Sequence, residues 1–159
     1  MVTDFWQQIM GNHVGLQVIL LLISYVLCSA IGLERQARRK SAGYRTHVLV
    51  GVGSCVFTLV SAYGFAAVRD PSVASDPTRI AAQIVSGIGF LGAGVIFKGS
   101  TTVRGLTTAA SIWIAAAVGM ACGAGMVAVA LIVTALYLLT LFAVGPLVRR
   151  LPGERGITD

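Results

Sequence analysis

Charged residues punctuate this chain in clusters, and the apolar runs between the clusters set its architecture. Residues 14 to 33, 46 to 68, 80 to 97 and 105 to 148 contain no Asp, Glu, Lys or Arg. A helix needs about 20 mostly apolar residues to cross a hydrocarbon core about 30 Å thick. The first three runs each fit one crossing, and the last is long enough for two with a turn between them. "GMACGAG" marks that turn, with Gly119, Gly123 and Gly125 permitting a tight reversal. The pattern predicts five transmembrane helices at about 14–34, 46–68, 78–98, 103–121 and 124–147. The expected fold is all-α: a compact polytopic bundle forming one domain over residues 1–150, with a short tail at 151–159.

Within these runs, small or weakly polar residues recur every fourth position, the spacing that lines one helix face. Thr107, Ser111, Ala115 and Gly119 share a face of span 4; Gly51, Cys55, Thr58 and Ala62 do so on span 2. On span 3, Ala82, Ser86, Gly89 and Ala93 fall together, among the further glycines Gly87, Gly92 and Gly94. Small faces let helix backbones approach closely, which drives association in lipid. These positions are therefore expected to pack against neighbouring helices, and Gly89→Leu is expected to disrupt the bundle. A local break of span 3 facing a cavity stays open as an alternative, because each glycine weakens a helix by roughly 1 kcal/mol relative to Ala. Span 5 is bulkier and uniformly apolar, as suits a lipid-facing periphery.

Composition agrees with a membrane protein: 56% of residues are hydrophobic and 11% charged, against about a quarter charged in soluble domains. The opening "MVTDFWQQIMGNH" carries an acid and no base, unlike a cleaved signal peptide. It reads as the lead into a retained helix, with Trp6 at the lipid–water boundary. Lys and Arg set the orientation. Ten of them (Arg35, Arg38, Arg39, Lys40, Arg45, Lys98, Arg104, Arg149, Arg150 and Arg155) fall on one side, and only Arg69 and Arg79 on the other. The expected topology places the N-terminus in the periplasm and the C-terminus in the cytoplasm of a bacterial inner membrane. The net charge of +6 then serves topology and contact with anionic membrane lipids, and nucleic acid is not an expected partner.

Candidate chemistry changes this picture little. Gly87, Gly89 and Gly92 spell the G-x-G-x-x-G of a dinucleotide-binding turn. That motif requires a preceding strand and an acid about 20 residues beyond it, and no acid occurs between Asp76 and Glu154. Lys98 is followed by Gly99, so a phosphate-binding G-K-[ST] ending is absent too. Cys28, Cys55 and Cys122 lie inside spans with no C-x-x-C pair and read as small packing residues. No catalytic set is readable, so an enzyme is not expected, and no cofactor is implied.

The polar residues carry paired readings. Glu34, at a helix C-terminus, either pairs with Arg38 one turn on or clamps Arg45 or Arg104 across the bundle; a cation site is its third option. Asp76, before Pro77, suits a helix N-cap, with Arg79 one turn inside as its partner or a lipid-phosphate ligand. Arg35, Arg45, Thr46 and Arg104 read either as anchors on the positive side or as residues with specific partners. His47 reads as a tolerated interfacial group. Thr107, Thr108 and Ser111 offer hydroxyls either to a polar cavity or to the preceding helical turn. A metal site stays unassigned, because divalent cations take several oxygen ligands and the acids are few.

Four blocks in fixed order, "GLERQ" (32–36), "AGYRTHVLVGVGS" (42–54), "DPTRIAAQIVSGIGFLGAGVIF" (76–97) and "GLTTAASIW" (105–113), resemble the signature blocks of the MgtC/SapB family of bacterial inner-membrane proteins. The resemblance covers roughly residues 25 to 125. It implies a role in growth or survival under magnesium limitation, of a regulatory kind, with the membrane ATP synthase among the implied partners; the alternative, suggested by the Gly-rich spans, is a transporter or channel component for magnesium or another small solute. It also singles out Glu34, within the G-x-E-R block, as functional. Longer members add a soluble cytoplasmic domain after the last span, whereas this sequence has "RRLPGERGITD" in that place, so the chain resembles the short form. Partner helices of other membrane proteins and further copies of the chain are both open as contacts.

Overall fold

A computed structural model describes residues 13–64, 76 and 78–144. Trp6, Arg69, Pro77, Arg149, Arg150 and Arg155 lie outside the described residues, as do the ends expected for spans 2 and 5. The order of elements is α1 (His13–Ala37), α2 (Tyr44–Leu59), α3 (Thr78–Gly94), β1 (Phe97–Lys98), β2 (Val103–Arg104), α4 (Leu106–Gly123) and α5 (Val127–Leu139). Single π turns at Val60–Gly64 and Thr140–Val144 extend α2 and α5. Three helical segments, Val14–Ala37, Tyr44–Gly64 and Leu106–Gly123, are long and apolar enough to cross a membrane. The apolar helices Arg79–Gly94 and Val127–Phe142 are shorter, each about 24 Å at 1.5 Å per residue. The outer surface is oily, with Phe90 82%, Leu49 73% and Val26 62% exposed. That is the inverse of a soluble surface, and it fits a helical membrane protein.

Helices α1, α2 and α4 form the centre. Their seam buries Leu20, Leu27, Cys28, Ile31, Cys55, Leu59, Ala115, Val118 and Cys122, and all three cysteines are free thiols. The close approach of α2 to α4 depends on two glycines. A Cβ at Gly119 would overlap the Gly51 carbonyl oxygen, and one at Gly51 would overlap Cys28 Sγ. Ser111, Ala115 and Gly119 are all buried on α4. On the periphery, α5 buries only Ala130 and Thr134.

Helix α3 packs differently from its sequence expectation. It is continuous from Thr78 to Gly94, with no break at its glycines. Its buried positions are Ile84, Ile88 and Gly92, set against Ala42, Ile112 and Ala116. Ala82, Ser86, Gly87, Gly89, Ala93 and Gly94 face outward, and a Cβ at Gly87, Gly89 or Gly94 would meet nothing within 4 Å. Branched side chains provide more contact area than small ones, so the isoleucines took the intrachain interface and the small face turned away.

Several boundaries also differ. The third helix ends at Gly94 and not near residue 98, and the fourth starts at Leu106 and not at 103. Between them β1 and β2 pair antiparallel, Phe97 opposite Arg104 and Lys98 opposite Val103. Gly105 ends this hairpin with φ of 90°, and a Cβ there would overlap the Val95 carbonyl oxygen, so only glycine fits. The reversal after α4 uses Gly125 at φ of 77°, while Gly119 and Gly123 are helical.

Candidate functional site

The polar residues of the bundle gather where α1 ends and α4 begins. Helix α1 runs three residues beyond its expected end, to Ala37, and Glu34 and Arg35 near its end lie inside: they are 5% and 1% exposed. Taking ionised groups out of water costs several kcal/mol unless partners replace the water. Glu34 forms its ion pair with Arg38, one turn on, and accepts a hydrogen bond from Tyr137 Oη of α5 at 3.4 Å. Of the partners open to Glu34, the structure selects Arg38 and neither Arg45 nor Arg104.

Arg38 also reaches α5. Its Nη2 donates to the Leu141 carbonyl at 3.0 Å, and its guanidinium sits 5.3 Å from the Phe142 ring centroid, within cation–π range. One arginine therefore ties the end of α1 to the end of α5.

Arg35 points the other way, toward α4. Its Nη2 donates to Thr108 Oγ1 at 2.7 Å, while its buried Nε has no hydrogen-bond partner among the described residues. Ser111 Oγ lies 2.7 Å from the Thr108 carbonyl and 2.9 Å from His47 Nε2, with its one proton in reach of both acceptors. His47 Nδ1 lies 2.8 Å from the Gly43 carbonyl; a carbonyl only accepts, so Nδ1 carries the proton. His47 is fully buried, which corrects its reading as an interfacial group. The hydroxyls of Thr108 and Ser111 thus join α1 to α2 across α4.

Beside this network lies a cavity of about 310 Å³, lined by Arg35, Arg38, Arg39, Lys40 and Arg104 along with Val95, Phe97, Gly105, Thr107 and Thr108. The end of α1, the hairpin and the first turn of α4 build its walls. Among the described residues, Glu34 is the sole acid at this end, and it is already engaged by Arg38.

The other expected site residues lie apart. Arg45 and Thr46 are on the first turn of α2 and do not line the cavity. Asp76 and Arg79 sit at the start of α3, roughly 24 Å along that helix from its cavity end, where the Arg79 amide bonds the Asp76 carbonyl at 3.4 Å. Among the described residues no group of three or more His, Cys, Asp or Glu side chains could hold a metal ion. Sequence reasoning missed Tyr137, His47 and the cavity roles of Arg39 and Lys40. Tyr137 carried a readable signal: a phenol hydroxyl inside an apolar span needs a polar partner.

The model of the MgtC family matches residues 21–150. "Putative magnesium transporter YhiD" of Escherichia coli (strain K12) is 56% identical over 80 residues, which is 50% of this chain and 37% of that protein. "Protein MgtC" of Brucella abortus (strain 2308) is 51% identical over 81 residues, covering 51% of this chain and 31% of its own length. The match thus spans about a third of these curated relatives. No solved structure matches. With its helices, its polar cluster and a match running over most of its length, the chain belongs to the MgtC family.

Proposed function

We propose that this chain is a regulatory protein of the bacterial inner membrane, active in adaptation to magnesium limitation, that works by helix–helix contact with other membrane proteins. The observation that carries this reading is the outward small face of α3. Ala82, Ser86, Gly89 and Ala93 are exposed, while the isoleucines of the same helix serve the bundle's own packing. A small-residue face left open in lipid suits a second helix at close range. The partner helix belongs to another membrane protein, with the ATP synthase first among those the family resemblance suggests, or to a further copy of the chain. The ten-to-two distribution of basic residues supports a periplasmic N-terminus and a cytoplasmic C-terminus.

Magnesium transport is the second reading, favoured by the name of the YhiD relative. The five cations around the cavity speak against it, since guanidinium and ammonium groups repel Mg²⁺, which binds through oxygen ligands. Two measurements separate the readings. A photoreactive residue at Ala93 is expected to crosslink to a discrete membrane partner in cells, and liposomes holding the purified chain are expected to show no Mg²⁺ influx above empty vesicles. Robust influx, abolished by Glu34→Ala or Asp76→Ala, would sink the regulatory reading.

A further inference from the structure

We infer that the basic cavity between the end of α1, the hairpin and the start of α4 is a binding site for a phosphate group. This inference stands apart from the helix-contact reading, because the outward face of α3 plays no part in it.

Charge is the first argument. Arg35, Arg38, Arg39, Lys40 and Arg104 converge on about 310 Å³, and one engaged carboxylate, Glu34, offsets one of the five. Residues that merely anchor a helix on the positive side of a membrane extend into water or headgroups. Arg35 does the opposite: it is 1% exposed, lines the cavity, and keeps a buried Nε without a partner among the described residues. A buried guanidinium with an unused donor is a costly arrangement that an incoming oxyanion would relieve.

The backbone supplies a second, independent argument. Helix α4 opens onto the cavity with Gly105 as its N-cap and no side-chain cap bond, so the positive end of its dipole faces the same space. A third argument comes from the end of α1. Two helices in this chain close with the same paired bonds. After α4, the amides of Gly125 and Met126 bond the carbonyls of Cys122 and Ala121 at 2.9 and 2.8 Å. After α1, the amides of Arg39 and Lys40 bond those of Gln36 and Arg35 at 3.0 and 3.1 Å. The left-handed position of this motif favours glycine, and α4 has Gly125 there; α1 has Arg39, at φ of 52°. An arginine held in a glycine conformation, with its side chain on the cavity, points to a role for the side chain that offsets the strain.

Phosphate fits better than carboxylate. Free phosphate or a monoester carries about 1.5 to 2 negative charges and a phospholipid phosphodiester about one, each with several acceptor oxygens, which suits a cavity with about four uncompensated cations. The volume lies at the lower end of small-molecule pockets, about 300–1,000 Å³, so it admits a phosphate with a small organic substituent. Such a group arrives either free in solution or as the headgroup of an anionic phospholipid.

The test uses the full chain in nanodiscs. In neutral phosphatidylcholine discs, radiolabelled inorganic phosphate is expected to bind saturably and without competition from equimolar chloride. In discs containing phosphatidylglycerol, native mass spectrometry reads whether that lipid is retained on the chain. Arg104→Gln is expected to weaken binding about tenfold, the loss of one charge-assisted contact. Arg39→Gly is expected to weaken it similarly while raising the melting temperature, because glycine suits that backbone. Arg45→Gln, a charge outside the cavity, is expected to change binding less than about twofold. Saturable phosphate binding with this pattern supports the free source; phosphatidylglycerol retention with the same pattern, and no phosphate binding, supports the lipid source. Absence of both, or equal sensitivity to Arg39→Gly, Arg104→Gln and Arg45→Gln, overturns the inference. Both cavity variants are surface changes, so the test does not depend on Arg35→Gln folding.

Discussion

Two sets of glycines in this chain look alike as letters and live in opposite surroundings. Gly51 and Gly119 face each other across the α2–α4 seam, where neither tolerates a Cβ without displacing a neighbour. Gly87, Gly89 and Gly94 on α3 have open space where their side chains would be. The first pair answers to what must fit against it inside the chain. Gly87 lines a groove between α3 and α2, while Gly89 and Gly94 have only open space beside them, so the small size of these two is available to something outside. A small-residue helix face therefore states only that a close approach is allowed; the bulk of the residues around it decides whether the approach is made within the chain. On α4 the small face won the interface, and on α3 the isoleucines did.

This contrast can be broken by experiment. Gly119→Ala is expected to cost about 2–3 kcal/mol of stability, an overpacking penalty against backbone that cannot yield; unfolding of the purified chain in detergent measures it. If that variant melts with the wild type, the seam is not as tight as described. The polar end of the same seam gives a smaller effect. Ser111→Ala removes the partner of buried His47 Nε2 and is expected to cost about 1–2 kcal/mol, read in the same melt. The smallest change belongs to α3. Gly89→Ala is expected to leave stability unchanged or raise it by up to about 1 kcal/mol, the helix-propensity gain, while reducing crosslinking from the outward face. A Gly89→Ala loss as large as that of Gly119→Ala would erase the distinction between the two sets.

The runs between charges located all five helices, because segregation of apolar residues over whole spans is a strong signal. The buried face of α4 was also legible: Ser111, Ala115 and Gly119 recur with helical spacing and lie in the seam. The orientation of α3 was not, since in a chain whose outer surface is apolar the contrast between inside and outside that fixes a soluble helix is lost. Of the site, Glu34, Arg35, Arg104 and Thr108 were singled out in sequence, but their grouping depended on α1 running to Ala37 and on the Phe97–Arg104 hairpin. Neither leaves a periodic mark: a two-residue strand is too short to show alternation, and a cluster such as Arg38, Arg39 and Lys40 looks the same whether it lines a cavity or coats a membrane surface. His47 was misread because burial of one polar residue depends on a partner 64 positions away, Ser111.

Burial of the three cysteines has a practical side. Cys28, Cys55 and Cys122 are each wholly enclosed by the central helices, so water-borne maleimides have no route to them while the bundle is folded. A single cysteine introduced on the outward face of α3 or at the hairpin would then be labelled alone, in an otherwise native background. The same enclosure makes the wild-type chain its own unfolding reporter, since the appearance of three reactive thiols would mark the opening of the seam that Gly51 and Gly119 hold shut.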